Sequence, residues 1–204
     1  MEFEEFLRRL GSATPTPGGG SASAVVGSIA ISLTKMVANL TVNKKGYESV
    51  QERMGEIIRE SDVIMSDFLK LEKEDEDAFN LISQSWKLPR ATEEEKQARK
   101  RKINEATLIA IRPPLKIASR AIRTIELATY VMQNGNRNAI SDALCSAEFA
   151  YSAFKGSISN VNINLKSLPE EMSEGENLKV KLLEGYASNI YNKFMKLFKE
   201  TSLK

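Results

Sequence analysis

The sequence predicts an all-α protein, an elongated bundle of long antiparallel helices that forms a dimer. Three observations carry this expectation. Apolar residues recur at steps of three and four through most of the 204 residues, with no strand-like alternation. The six prolines cluster in three places, Pro15 and Pro17, then Pro89 with Pro113 and Pro114, then Pro169, and long periodic segments run between them. Segments of roughly thirty to forty residues in so short a chain leave wide lateral apolar faces, which a second copy can cover.

Glu2 to Leu10 puts Phe3, Phe6, Leu7 and Leu10 on one helical face and stops at Gly11. The loop SATPTPGGG follows. Ser21 to about Thr41 reads as a helix of roughly 30 Å. Its Gly20, Ala24, Gly27, Ser28 and Ser32 recur at helical intervals, so a neighbouring backbone can approach closely, and the helix is expected at the centre. From about Glu48 to Trp86 a third segment carries Met54, Ile57, Ile58, Ile64, Phe68, Leu71, Ala78, Phe79, Ile82 and Trp86 as apolar positions and halts ahead of Pro89.

Thr92 and Glu95 form a capping-box pattern that opens a strongly charged helix. It turns Ile103, Ala106, Ala110, Ile117, Ala121, Ile125 and Met132 inward, is kinked or broken at Pro113 and Pro114, and ends at Asn134, Gly135 and Asn136. From about Asn138 the residues Ile140, Ala143, Ala147, Tyr151, Phe154, Ile158, Val161 and Leu165 share a stripe that stops before Pro169. Ser173 with Glu176 repeats the capping pattern before a last helix carrying Leu178, Leu182, Leu183, Ile190 and Phe194. No repeat or linker divides the chain. Residues 1–204 are therefore expected to form a single helical domain, large enough to bury roughly 70% of its unfolded surface.

The composition has 29 Lys plus Arg against 27 Asp plus Glu, a net charge of +2. Neither nucleic acid nor a membrane is expected as a partner on that balance. The stretch Ala22 to Leu40 is apolar, but Ser28, Ser32, Thr34, Lys35 and Asn39 interrupt it, which reads as a buried core helix rather than a span. The N-terminus MEFEEFLRRL has neither a basic leader nor an apolar core, so a cytoplasmic location is expected. There is no histidine, and Cys145 is the one cysteine. A disulfide scaffold, a His-containing zinc site, a Ser-His-Asp triad and any imidazole acid or base are excluded. Any proton carrier must be a carboxylate, Lys, Tyr or Cys. Cys145 lies among apolar residues with no basic neighbour and reads as a core residue.

Four features could carry chemistry. The run PTPGGGSASA sets Gly18, Gly19 and Gly20, with Ser21 and Ser23, at a helix start. Free N–H groups and the helix dipole there attract a phosphate or carboxylate; the other reading is a tight turn with a serine cap. It lacks the lysine of a nucleotide-binding loop and the strand before it. Asp75 follows Phe68 and Leu71 and precedes Ala78, Phe79, Ile82 and Trp86 at helical steps, so it lies on the apolar stripe, whereas Glu74 and Asp77 do not. Such a carboxylate is either raised in pKa for proton transfer or paired with a cation on a facing helix. Asn160 and Asn164 stand four apart and can read the edge of a heterocycle or pair between helices. Lys44 and Lys45 suit one or two carboxylates, or simply solvate a helix end. Asp142 lies eighteen residues before Asn160, roughly 27 Å along a continuous helix. Both can serve one ligand only if the helix breaks, the ligand is long or a second subunit contributes.

In one order, PTPGGGSASA, MVANLTVNKKGY, DEDAF followed by KLPRATEEEKQAR, GNRNAISDA and SNVNINL resemble the cyclodeaminase domain of formiminotransferase-cyclodeaminase and its stand-alone relatives, methenyltetrahydrofolate cyclohydrolases included. The resemblance covers nearly the whole chain. It implies an all-helical homodimer acting on one-carbon units of tetrahydrofolate, with no metal and no cofactor beyond that folate substrate. It puts the acid/base aspartate of the D-x-x-A-F pattern on Asp75. At Asn43 the chain departs from relatives that often have Gly before the basic pair.

The reaction implied by the resemblance is ring closure of formiminotetrahydrofolate to methenyltetrahydrofolate with loss of ammonia. Hydrolysis of methenyltetrahydrofolate and a non-catalytic folate-binding module are the alternatives. Substrate binding is expected from Gly18, Gly19, Gly20, Ser21, Ser23, Lys44, Lys45, Asp142, Asn160 and Asn164, with the glycine loop and lysines on the glutamate tail and the amides on the pterin.

Overall fold

A computed structural model describes residues 2–202, the side chain of Ser202 excepted; Met1, Leu203 and Lys204, at the ends of the expected domain, lie outside the described residues. Those residues form helices and no strand. In chain order they are α1 (Phe3–Leu10), α2 (Gly19–Asn39), α3 (Gln51–Trp86), α4 (Glu93–Ala110), α5 (Arg112–Asn134), α6 (Ile140–Lys166) and α7 (Glu170–Ser202), with single 3-10 turns at Glu48–Val50 and Arg137–Ala139.

The small residues of α2 place it at the centre, packed on α3, α5 and α6. Gly20, Ala24, Gly27, Ala30 and Ile31 are buried along its inner side. Gly27 lies against the ring of Phe68 so closely that a Cβ there would fall 2.5 Å from Cε1 and 2.6 Å from Cζ. Phe68 is itself fully buried, and burying an aromatic side chain of this size contributes roughly 1.5–3 kcal/mol. Toward α6, Ser146 Oγ donates to the Ala30 carbonyl at 2.7 Å and shares a 2.7 Å hydrogen bond with Thr34 Oγ1, which satisfies both buried hydroxyls. Among the described residues α2 is the one helix long and apolar enough to cross a membrane, and half of that stretch is buried within the protein.

Helix ends follow their local chemistry. Thr92 Oγ1 accepts from the Glu95 N–H at 3.2 Å while Glu95 Oε2 accepts from the Thr92 N–H at 3.1 Å, closing the expected capping box. Pro113 and Pro114 break the fourth segment into α4 and α5 and sit in the first turn of α5, where their missing N–H groups are tolerated. Asn43 takes φ 58°, the left-handed region that Asn accepts more readily than other side chains.

Several expectations change. α2 begins at Gly19, two residues before Ser21, with Gly18 as its cap and no side-chain capping bond. α7 begins at Glu170, directly after Pro169, and Ser173 Oγ donates to the Glu170 carbonyl inside the helix instead of capping it. The last helix turns Val180, Ala187 and Phe194 inward, leaving Leu178 at 61% and Leu182 at 66% exposure; the expected stripe had mixed two faces of one helix. In α1 only Phe6 is buried, and Phe3 and Leu7 face solvent. Trp86 at the end of α3 is half exposed, packed edge-on to Phe79 at 6.1 Å. Cys145 is exposed, because Ala143, Ser146 and Ala147 occupy the inner face of α6 around it.

Gly27→Ala should lower stability by about 1–3 kcal/mol through overpacking against Phe68, even though alanine favours helix by about 1 kcal/mol. Urea denaturation would read this as a lower midpoint with an unchanged slope.

Candidate functional site

Four helices converge on one cleft of about 230 Å³. The start of α2 supplies Gly18, Gly19 and Gly20 with Pro15 and Thr16 before them; α3 supplies Asp75, Phe79 and Ile82; α4 ends in it at Ala110; α6 supplies Asn160, Ile163 and Asn164. Among the described residues lining the cleft, Asp75 is the one charged group.

Asp75 reaches the first turn of α2 because Gly20 has no side chain. A Cβ at Gly20 would lie 2.3 Å from Oδ1, 2.5 Å from Oδ2 and 2.6 Å from Cγ of Asp75. The carboxylate occupies the anion position expected of the glycine loop, accepting from Ser21 Oγ at 3.0 Å and from the Ser21 backbone N–H. In effect Asp75 caps α2 from a different helix, where Gly18 offers nothing. Burial is the larger influence and pushes the Asp75 carboxyl above its usual range; the Ser21 hydroxyl and N–H pull the other way, and Glu76 adds to the rise. Glu76 is held by Arg9 of α1 at 2.7 Å. One turn before it, Glu72 is also raised, by burial first and then by Glu76, and one carboxylate oxygen of each, Oε1, is buried without a donor.

The two amides face the same cleft without bonding each other. Asn160 Nδ2 donates to the Gly156 carbonyl of its own helix at 2.9 Å. Asn164 Nδ2 points across to the Ala110 carbonyl at 3.4 Å. That carbonyl is four residues before Pro114, which has no N–H to give it, so the proline break leaves an acceptor in the cleft wall.

The remaining expected site residues lie elsewhere. Ser23 Oγ donates to the Gly19 carbonyl at 2.7 Å and faces Gly156 of α6, so it packs helices and does not reach the cleft. Ser21 is fully buried behind Asp75. Lys44 and Lys45 follow the far end of α2, about 30 Å from the glycines along its 21 residues. Lys44 is half-buried, donating to Asn136 Oδ1 at 2.7 Å with the Tyr47 ring 5.9 Å away, and Lys45 is exposed. Asp142 sits in the first turn of α6, and that helix is continuous to Lys166, which keeps Asp142 about 27 Å from Asn160. One chain therefore separates the lysines and Asp142 from the glycines, Asp75 and both asparagines.

Sequence reasoning did not single out Asn136. Its Nδ2 donates to the Leu40 carbonyl at 3.2 Å, its Oδ1 accepts from Lys44 and from the Asn138 N–H at 3.1 Å, and it fixes the lysine end of α2. The turn chemistry of Asn-Gly-Asn was a signal for the loop but not for this partner. Phe79, Ile82 and Ile163, read as ordinary apolar positions or passed over, form the apolar walls.

A raised carboxyl binds its proton more tightly folded than unfolded, so its contribution to stability is present at low pH and lost as pH rises through the folded pKa. Asp75→Asn, which keeps an oxygen acceptor for Ser21, should therefore raise the melting temperature by a few degrees at neutral pH. The advantage should vanish in acid, below the ordinary carboxylate range. Thermal melts across pH would check this.

Residues 2–180 match the model of the family described as formiminotransferase-cyclodeaminase. A methenyltetrahydrofolate cyclohydrolase of Methylorubrum extorquens is 36% identical over 177 residues, covering 87% of this chain and 85% of that protein. A formimidoyltransferase-cyclodeaminase of Rattus norvegicus is 28% identical over 167 residues, 82% of this chain, and this chain spans 31% of that longer protein. Among solved structures, a formiminotetrahydrofolate cyclodeaminase of Thermotoga maritima has a TM-score of 0.88 at 27% identity, covering 98% of this chain and 96% of that one. The family match runs through every element that lines the cleft, and the chain belongs to the formiminotransferase-cyclodeaminase family.

Proposed function

We propose that this chain is a formiminotetrahydrofolate cyclodeaminase, closing the ring to methenyltetrahydrofolate with release of ammonia. Its relatives are enzymes of folate one-carbon chemistry, and the chain is an enzyme of that kind. The observation that carries the finer reading is Asp75, the charged group in a cleft otherwise lined by amides, backbone and apolar side chains, with its carboxyl raised toward the range where it can both take and return a proton.

In this mechanism the aniline nitrogen of the substrate attacks the carbon of the protonated formimino group and Asp75 accepts the aniline proton. The tetrahedral intermediate then expels ammonia as Asp75 returns the proton to the departing amine. Asn160 and Asn164 would hold the pterin through its donor and acceptor edge. The reaction so written needs no cofactor beyond the folate. Hydrolysis of methenyltetrahydrofolate in the same cleft, with water attacking the methenyl carbon, has its own support in the 36% identity to a cyclohydrolase over most of its length.

The reading includes a homodimer whose neighbouring helices run antiparallel across short connections. Two observations support a second copy. The cleft of one chain, about 230 Å³, is smaller than the roughly 300–1,000 Å³ that drug-sized ligands occupy. In addition, Ile29, Met36 and Leu40 form an outer stripe of α2 exposed at 40, 37 and 48%. Pairing along that stripe would let the Lys44 and Lys45 end of one copy serve the cleft of the other.

Purified protein given formiminotetrahydrofolate should release ammonia as methenyl absorbance rises; hydrolysis of methenyltetrahydrofolate without ammonia release would transfer the assignment to the cyclohydrolase. Asp75→Asn should lower kcat by about 10²–10⁴ with folate binding retained, and undiminished turnover would sink the role given to Asp75. Asp75→Asn and Lys44→Ala chains, each inactive alone, should recover about a quarter of wild-type activity when refolded together as a random mixture of two-fold dimers. No recovery would place Lys44 outside a shared site.

A further inference from the structure

Resting on the reading of Asp75 as the acid/base, we infer that Ser21 is the positioning residue that lets the carboxyl change protonation state without losing its hydrogen bond. The Ser21 hydroxyl donates to the carboxylate in one state and accepts from the carboxylic acid in the other.

Ser21 is fully buried in the first turn of α2, and its Oγ has two acceptors in reach on α3, Asp75 Oδ2 at 3.0 Å and the Glu72 carbonyl at 3.2 Å. A hydroxyl has one proton and two lone pairs, so it can donate to only one of them at a time. With Asp75 ionised, the proton points to Oδ2, beside the Ser21 N–H that also donates to the carboxylate. When Asp75 takes a proton from substrate, the hydroxyl turns about its Cβ–Oγ bond toward the Glu72 carbonyl, whose second lone pair is free to accept. An Oγ lone pair then receives the Asp75 O–H along the same 3.0 Å line, and the O–H turns back to the cleft to return its proton to the departing amine. No covalent bond changes at Ser21; the hydrogen bond reverses direction, and both states of the carboxyl stay satisfied.

The placement is particular to this serine. Ser23, Ser28 and Ser32 of α2 turn their hydroxyls back to carbonyls of their own helix, at Gly19, Val25 and Ser28, each at 2.7 Å. Ser32 Oγ also lies 3.6 Å from the Met65 sulfur on α3, whereas Ser21 reaches oxygen acceptors there. The charged groups around Asp75 leave the hydroxyl as the adjustable partner. On α3 these are Glu72 and Glu76, and Arg9 of α1 holds Glu76. The first turn of α2 carries no acidic residue, and the cleft-facing residues of α4 and α6 are uncharged. Glu76 acts alike with and without the hydroxyl.

The test follows the Asp75 carboxyl carbon by NMR as a function of pH, beside the pH profile of kcat/KM, in wild type, Ser21→Ala and Ser21→Cys. Cysteine fills nearly the same space with a poor donor, so it keeps the test open should the alanine variant fold badly. The bond that Ser21 donates to the ionised carboxylate is charge-assisted and stronger than the one it accepts from the acid, so losing both disfavours the ionised form on balance. Both variants should titrate about one pH unit higher, the acid limb of the profile should move with them, and kcat should fall about tenfold at unchanged KM. An Asp75 titration and a kcat equal to wild type in the variants would overturn the role of Ser21. Full turnover in Asp75→Asn would instead remove the acid/base reading, and the NMR titration would still decide whether Ser21 governs the carboxyl.

Discussion

Two positions without a Cβ, Gly20 and Gly27, set how closely α2 lies on α3, and the rest of the molecule is arranged around that contact. They are seven residues apart, two helical turns, and so share one face. At Gly27 the space is taken by the ring of Phe68, and at Gly20 by the carboxyl of Asp75. Phe68 and Asp75 are themselves seven apart on α3. The same close approach that packs an aromatic ring in the interior also delivers a carboxylate to the open end of α2. Stability and chemistry thus share one geometric requirement, with the apolar half of the contact supplying the rigidity that the polar half uses.

Asp75 was legible because helical periodicity is a property of consecutive residues: six neighbours at steps of three and four fixed its face before any fold was known. The burial of Gly27 and the capping box at Thr92 and Glu95 were legible for the same local reason. What could not be read depends on contacts between distant segments. The carboxylate of Asp75 fills the place that the glycine loop was expected to offer a ligand, and only the packing of α3 on α2 reveals this. Ser23 was grouped with the glycines by adjacency in sequence, yet one hundred degrees per residue turns it toward α6.

The tail end of the chain went astray differently. Leu178, Leu182, Leu183, Ile190 and Phe194 fit a helix, but two faces of it, and the choice between them is made by α5 and α6. Cys145 looked interior because alanines surround it in sequence, whereas small residues on the inner face of α6 leave the position between them pointing out. The lysine pair is the sharper lesson. Its separation from the glycines follows from the uninterrupted length of α2, which the sequence announced, but whether a distance within one chain is also a distance within the working assembly is decided at a surface between chains.

The acceptor at Ala110 has a consequence for how this site can vary. It is a main-chain carbonyl, released because Pro114 cannot donate to it, so substitutions at position 110 leave the oxygen in place and change only what crowds it. A side chain that never touches the cleft controls it instead: any residue other than proline at 114 could bring back the missing N–H and draw that carbonyl into the helix. Variation in the cleft's recognition of its ligand can therefore arise at a residue outside the lining, one helical turn beyond Ala110, with the lining itself unaltered.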